Sequence, residues 1–132
     1  MERGQMPPTV LIADDDPVTT YLLRHCLTSA GFRVCCALDG REALSLMQQE
    51  MPELVVLDVM MPVMDGLEVL RRAKADPRLR RIPVIMVTSR EQDSDILDAV
   101  KIGAADYLVK PFAPNDFLAR VARIITEQRR AA

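Results

Sequence analysis

A chain of 132 residues is long enough for one domain with a substantial core and short for two. Apolar residues make up 49% and charged residues 27%, and the formal net charge of −2 gives no footing for nucleic acid or an anionic membrane as the main partner. No apolar run approaches the ~20 residues of a membrane span. The opening MERGQMPPTV lacks the apolar stretch of a secretory signal, so the protein is expected in the cytoplasm and off the membrane.

TVLIA (9–13) reads as a first strand, β1, and runs straight into three aspartates, Asp14, Asp15 and Asp16. A first helix, α1 (17–30), begins with Asp16 as N-cap and Pro17 at the first helical position, and Gly31 suits its end. RVCCAL (33–38) is β2, and the LDG that follows reads as a plain turn into α2 (40–50). ELVVLD (53–58) is β3, and α3 (65–76) follows with Asp65 as N-cap and Pro77 behind it. PVIMVT (83–88) is β4, α4 (91–102) stops at Gly103, DYLVK (106–110) is β5, and α5 (114–129) closes the series. The strand runs are continuous rather than alternating, the pattern of parallel strands buried on both faces. Cys26, Cys35 and Cys36 lack metal-ligand spacing, and adjacent cysteines on a strand point to opposite faces, so all three are read as reduced thiols in or near the core.

Five βα units with short connections predict an α/β fold, a doubly wound five-stranded parallel sheet with five helices. One domain fills residues 1–132, with an ordered core over about 9–128. In such sheets the binding crevice lies outside the carboxyl ends of the strands. That edge collects Asp14, Asp15 and Asp16 after β1, Asp58 at the end of β3, Thr88 at the end of β4 and Lys110 at the end of β5. Like charges packed together are costly. A carboxylate cluster without histidine or cysteine is an all-oxygen environment suited to Mg²⁺, Mn²⁺ or Ca²⁺, and a divalent ion would offset the repulsion. Lys110 adds a point charge for a phosphate oxygen and Thr88 a hydroxyl, which together make a phosphoryl-transfer site with one carboxylate left as the nucleophile.

VLIADDDP, VVLDVMMPVMDG, VIMVTS and YLVKPF, in that order and spacing, resemble the motifs of receiver domains of two-component response regulators, CheY-like, over about residues 9–128. The resemblance implies a sheet in the order 2-1-3-4-5 and a signalling domain rather than an enzyme, catalysing only its own phosphorylation and dephosphorylation. It implies Asp58 as the aspartate phosphorylated by a sensor histidine kinase or histidine phosphotransfer protein. Asp15 is then the direct Mg²⁺ ligand, Asp14 acts partly through water, Asp58 and the backbone carbonyl of Met60 complete the set, and Mn²⁺ can substitute. Thr88 and Lys110 would bind the phosphoryl oxygens. Tyr107 would be the aromatic switch that turns inward when Thr88 engages phosphate, and the Lys110–Pro111 bond would be cis. The α4–β5–α5 face would report the phosphorylated state to an output domain or partner protein. Met60 and Arg90 occupy positions that tune phosphoryl lifetime in relatives. In the branch with winged-helix outputs, a pair matching Asp106 and Arg120 joins two copies in a phosphorylation-dependent homodimer, although Ile96 stands where that branch usually has a basic residue.

These residues also admit other readings. Asp14-x-Asp16-x-Val18 also fits the opening motif of haloacid-dehalogenase-type phosphoaspartyl hydrolases, but the late acidic ligands and substrate cap of that class are missing. A receiver-like module that no longer accepts phosphate would usually have lost an acid or the lysine. His25 sits mid-helix, away from the acids. RRAKADPRLRR (71–81) trails α3 and reads as a solvated face rather than a nucleic-acid patch. No output domain follows α5, which leaves open a stand-alone regulator or one part of a longer chain.

Overall fold

The computed structural model describes residues 7–89 and 93–131. Its elements are β1 (Thr9–Ala13), α1 (Pro17–Ser29), β2 (Arg33–Ala37), α2 (Gly40–Glu50), β3 (Leu54–Asp58), α3 (Gly66–Ala75), β4 (Val84–Thr88), α4 (Asp93–Ile102), β5 (Asp106–Val109) and α5 (Pro114–Ala131). All five strands are parallel, in the order β2-β1-β3-β4-β5. Arg90 and the first two positions expected for α4, Glu91 and Gln92, lie outside the described residues.

Each central strand sorts its side chains by alternation, the period-2 geometry of a strand. Leu11, Val55, Leu57, Val84 and Met86 face one way and pack with Met47 of α2, Leu70 and Ala73 of α3 and Ala99 of α4. Val10, Ile12, Val56, Ile85 and Val87 face the other way, onto Leu23 and Leu27 of α1 and Phe117, Val121, Ile124 and Ile125 of α5. Phe117 is wholly enclosed, and burying such a side chain contributes ~1.5–3 kcal/mol. Burial on both faces holds for β3 and β4 throughout and for nearly all of β1, but not for the outer strands. Most of β2 is only half-buried, and in β5 only Leu108 is fully covered. An edge strand has a neighbour on one side only, and a continuous apolar run does not reveal which strands those are.

The helix starts follow from local chemistry. The Asp16 carboxylate accepts from the Val18 N–H at 3.1 Å and Pro17 takes the first turn. Asp39 accepts from the Glu42 N–H at 2.8 Å while the Glu42 carboxylate accepts from the Leu38 N–H at 2.9 Å, a reciprocal cap. Asp65 caps α3 through the Glu68 N–H at 2.9 Å. Gly31 and Gly103 follow α1 and α4 with φ of 94° and 120°. α2 ends instead on Met51, whose φ of 44° is left-handed. This conformation is costly for a residue with a Cβ. Met51→Gly is therefore expected to stabilise the fold by about 0.5–1 kcal/mol, raising the melting temperature by ~2–4 °C in a thermal scan. A fall in melting temperature would mean that the Met51 side chain contributes more than its backbone costs.

Candidate functional site

The ladder hydrogen bonds continue one residue past the strands and place the site. The Asp14 N–H donates to the Ala37 carbonyl at 3.1 Å, the Val59 N–H to Val87 at 3.1 Å and the Lys110 N–H to Thr88 at 2.7 Å. Asp14, Asp58 and Lys110 are thus carried on rigid sheet ends rather than free loops. Their side chains converge: Lys110 Nζ donates to Asp14 Oδ2 at 3.2 Å and to Asp58 Oδ2 at 3.1 Å. The other oxygens are held by backbone. The Asp16 N–H reaches Asp14 Oδ1 at 2.9 Å and the Met60 N–H reaches Asp58 Oδ1 at 3.2 Å. Asp14 is 2% and Asp58 7% exposed, whereas Asp15 is open to solvent.

Carboxylate oxygens of Asp14, Asp15 and Asp58 lie within 4.8 Å of one another. Two of these carboxylates, Asp14 and Asp58, share the ammonium of Lys110. Burial, then the neighbouring Asp14 charge, pushes the Asp58 carboxyl up to about 6, against the opposing pull of Lys110. Burial alone would lower Lys110, but the Asp58 and Asp14 charges outweigh it and hold the ammonium above its ordinary value. An all-oxygen donor set with uncompensated negative charge fits a hard divalent cation such as Mg²⁺.

Thr88 is buried at the end of β4, one residue beyond the Asp58–Val87 register pair. Tyr107, across from Met86 in the β4–β5 register, is 40% exposed and faces outward. The Lys110–Pro111 bond is cis. Asp106 and Arg120, expected to meet across two copies, meet within one: Arg120 Nη1 lies 2.9 Å from Asp106 Oδ1. Asp16 bonds the Val18 N–H and the Thr19 hydroxyl, the latter at 2.7 Å, so the second acid of the hydrolase-like motif is used as a helix cap. His25 is exposed on α1 and stacks on Tyr21 at 6.4 Å. In the basic stretch, Arg71 and Arg72 pair with Glu68 at 3.5 and 2.9 Å, and Lys74 donates to the Arg80 carbonyl at 3.0 Å. The three cysteines are free, and burial raises the Cys35 and Cys36 thiols, which keeps them protonated.

Two glycines that the sequence reading passed over shape the site. Gly66 lies so close beneath Asp58 that a Cβ there would collide with the Asp58 carbonyl oxygen, and its N–H donates to the Val59 carbonyl at 2.8 Å. Gly40, read as part of a plain turn, leaves no room for a Cβ against the Met64 carbonyl. The loop between β3 and α3 is therefore pinned at both ends. Within it the Met64 N–H closes a tight turn onto the Pro62 carbonyl at 2.7 Å, with Val63 at a φ of 71°. The glycines in MDG and LDG were the available signal; the backbones they approach come from other elements.

No helix among the described residues is long and apolar enough to cross a membrane. Residues 10–122 match the model of the response regulator receiver domain family. The chain is 42% identical over 120 residues to the response regulator MprA of Mycolicibacterium vanbaalenii, covering 91% of this chain and 51% of that protein. It is 37% identical over 120 residues to the phosphate regulon regulatory protein PhoB of Rhizobium meliloti, covering 91% and 53%. The chain thus spans about half the length of these curated relatives. Among solved structures, a CheY-like receiver domain protein of Methanospirillum hungatei superposes with a TM-score of 0.89 at 27% identity, over 96% of this chain and 99% of that one. The receiver domain of a Pseudomonas aeruginosa sensor histidine kinase, described with a magnesium ion coordinated in its active-site cleft, gives 0.84 at 28% identity, over 91% and 98%. With the parallel sheet, its strand order and the acids at its carboxyl edge already in place, the match over most of the chain makes this protein a member of the response regulator receiver domain family.

Proposed function

We propose that the chain is the phosphoacceptor unit of a two-component pathway, with Asp58 receiving a phosphoryl group from a sensor histidine kinase or a histidine phosphotransfer protein. The observation that carries this reading is the Lys110 ammonium held between the two buried carboxylates, 3.1 Å from Asp58 and 3.2 Å from Asp14. An Asp58 oxygen attacks phosphorus in line, and the P–N bond of the donor phosphohistidine breaks as the O–P bond forms. Lys110 is placed to follow the incoming phosphoryl oxygens, since it already touches the attacking carboxylate. Asp14, Asp15, Asp58 and the Met60 carbonyl would hold Mg²⁺, with Mn²⁺ an acceptable substitute for the same oxygen donors. When bound, the ion supplies neutralisation of the charge on the transferring group.

After transfer, the Thr88 hydroxyl engages the phosphoryl group and Tyr107 turns inward from its exposed position. Phosphorylation biases an existing equilibrium between two arrangements of the α4–β5–α5 face. That face then addresses an output domain, a partner protein or a second copy of the chain, the last through Asp106 and Arg120. The name of PhoB as a transcriptional regulatory protein supports a role in transcriptional signalling, with the receiver as the half shared with this chain.

Intact-mass measurement after incubation with acetyl phosphate and Mg²⁺ tests the reading. One phosphoryl group is expected on the wild type, and none on Asp58→Asn or in the presence of a chelator. Equal labelling of the Asn variant would remove Asp58 as acceptor. Release of many equivalents of phosphate from a small ester, rather than a single labelling event, would favour a phosphoaspartyl hydrolase instead.

A further inference from the structure

Asp106 opens β5, and its carboxylate is nearly enclosed, with 14% of the side chain exposed. Both oxygens are taken within the chain. Arg120 Nη1 donates to Oδ1 at 2.9 Å and Arg123 Nη2 to Oδ2 at 3.1 Å. Arg120 is equally committed: its Nε donates to Asp116 Oδ1 at 3.2 Å, and Nη1 also reaches the Tyr107 carbonyl at 3.1 Å. The geometry comes from α5. Residues 116, 120 and 123 stand four and three positions apart, so they share the helix face that lies over the start of β5.

We propose that Arg123 and Asp116 form an in-chain clamp that opposes pairing of two copies through the α4–β5–α5 face, by occupying the Asp106 oxygen and the Arg120 nitrogen that a second copy would use. The proposal rests on the self-association reading above, in which Asp106 of one copy meets Arg120 of the other. Exchanging an in-chain pair for the same pair across two copies forms no more ion pairs than it breaks, and uncovering an enclosed carboxylate adds a cost. The drive for association then falls to Leu97 and Val100 of α4 and to Tyr107, all exposed. Ile96, also on α4, offers no charge to draw Asp116 away from Arg120. Taking away Arg123 leaves Asp106 Oδ2 open to a second copy; neutralising Asp116 does the same for Arg120 Nε.

Sedimentation equilibrium with Mg²⁺ and beryllofluoride, a phosphoryl mimic, gives the dimer constants of the wild type, Arg123→Gln, Asp116→Asn and Arg120→Ala. Circular dichroism confirms that each variant is folded. Arg123→Gln and Asp116→Asn are each expected to tighten the dimer about two- to fivefold, the range of a single exposed ion pair, while Arg120→Ala weakens it. Unchanged or weaker association in both clamp variants, with Arg120→Ala still weakening the dimer, overturns the clamp and leaves the pairing intact. Indifference of the dimer to Arg120→Ala, or a monomer at ~200 µM in every variant, overturns the pairing itself and the clamp with it.

Discussion

Replacing Gly66 by alanine is expected to lower the melting temperature by about 8–15 °C and to abolish Mg²⁺ binding in the fraction that stays folded. The added Cβ would meet the Asp58 carbonyl oxygen, the Asp58 carbonyl carbon at 2.9 Å and Val59 Cα at 3.0 Å. All of these are backbone atoms of a buried strand end, so no side chain can swing aside. Either the start of α3 moves away, losing the Gly66–Val59 hydrogen bond of 2.8 Å, or the end of β3 moves and takes the Asp58 carboxylate with it. Overpacking of this kind costs ~1–3 kcal/mol and more when only backbone can yield. Thermal unfolding followed by a calorimetric Mg²⁺ titration checks both parts. A variant with wild-type stability and wild-type Mg²⁺ affinity would show that the α3 start is free to shift without cost.

Asp58→Asn should make the metal-free protein more stable at neutral pH, by about 1–2 kcal/mol or ~3–8 °C. In the native state the Asp58 carboxyl is raised to about 6 by burial and by Asp14, whereas the unfolded chain has its ordinary value near 3.8. Between those values the native state holds a proton that the unfolded state has released, so the contribution of Asp58 to stability falls as pH rises through that window. Above about 6 the native site carries the full cost of the ionised Asp58 carboxylate. Asparagine cannot ionise, so its advantage over the wild type should be small near pH ~4, grow to pH ~6 and then stay level. Losing the Lys110–Asp58 contact offsets part of the gain, but Lys110 keeps Asp14 at 3.2 Å. Millimolar Mg²⁺ should close the gap from the other side by stabilising the wild type selectively. Melting curves of both proteins with chelator across this range are the test. An Asn variant no more stable than the wild type at pH ~7.5 would mean that Lys110 already compensates both acids.

How much of this was legible in the residues follows from the range of each signal. The apolar runs, the aspartates at helix starts and Gly31 and Gly103 at helix ends act over a few positions, and they mark the described elements to within one or two residues. The strand ends are as local, which is why the sequence alone assigns Asp14, Asp58, Thr88 and Lys110 to one edge. Where the sequence and the structure part, the deciding contact is remote in the chain. Gly66 matters because the Asp58 carbonyl lies against it, and Gly40 because Met64 does. Strands β2 and β5 are half-exposed because the winding order leaves each with one neighbour. Asp106 closes on Arg120 and Arg123 because α5 lies over the start of β5, an in-chain contact that the resemblance, which pairs Asp106 with Arg120 of a second copy, does not give. The acidity of Asp58 is the clearest case. Its sequence neighbours announce a crowded acidic edge, but the value is set by burial and by the distances to Asp14 and Lys110, which lie 44 and 52 residues away along the chain. Short-range steric and hydrogen-bonding preferences determine the elements and the residue types at their ends. Desolvation and charge interactions, which depend on distance through the fold, determine what those residues do there.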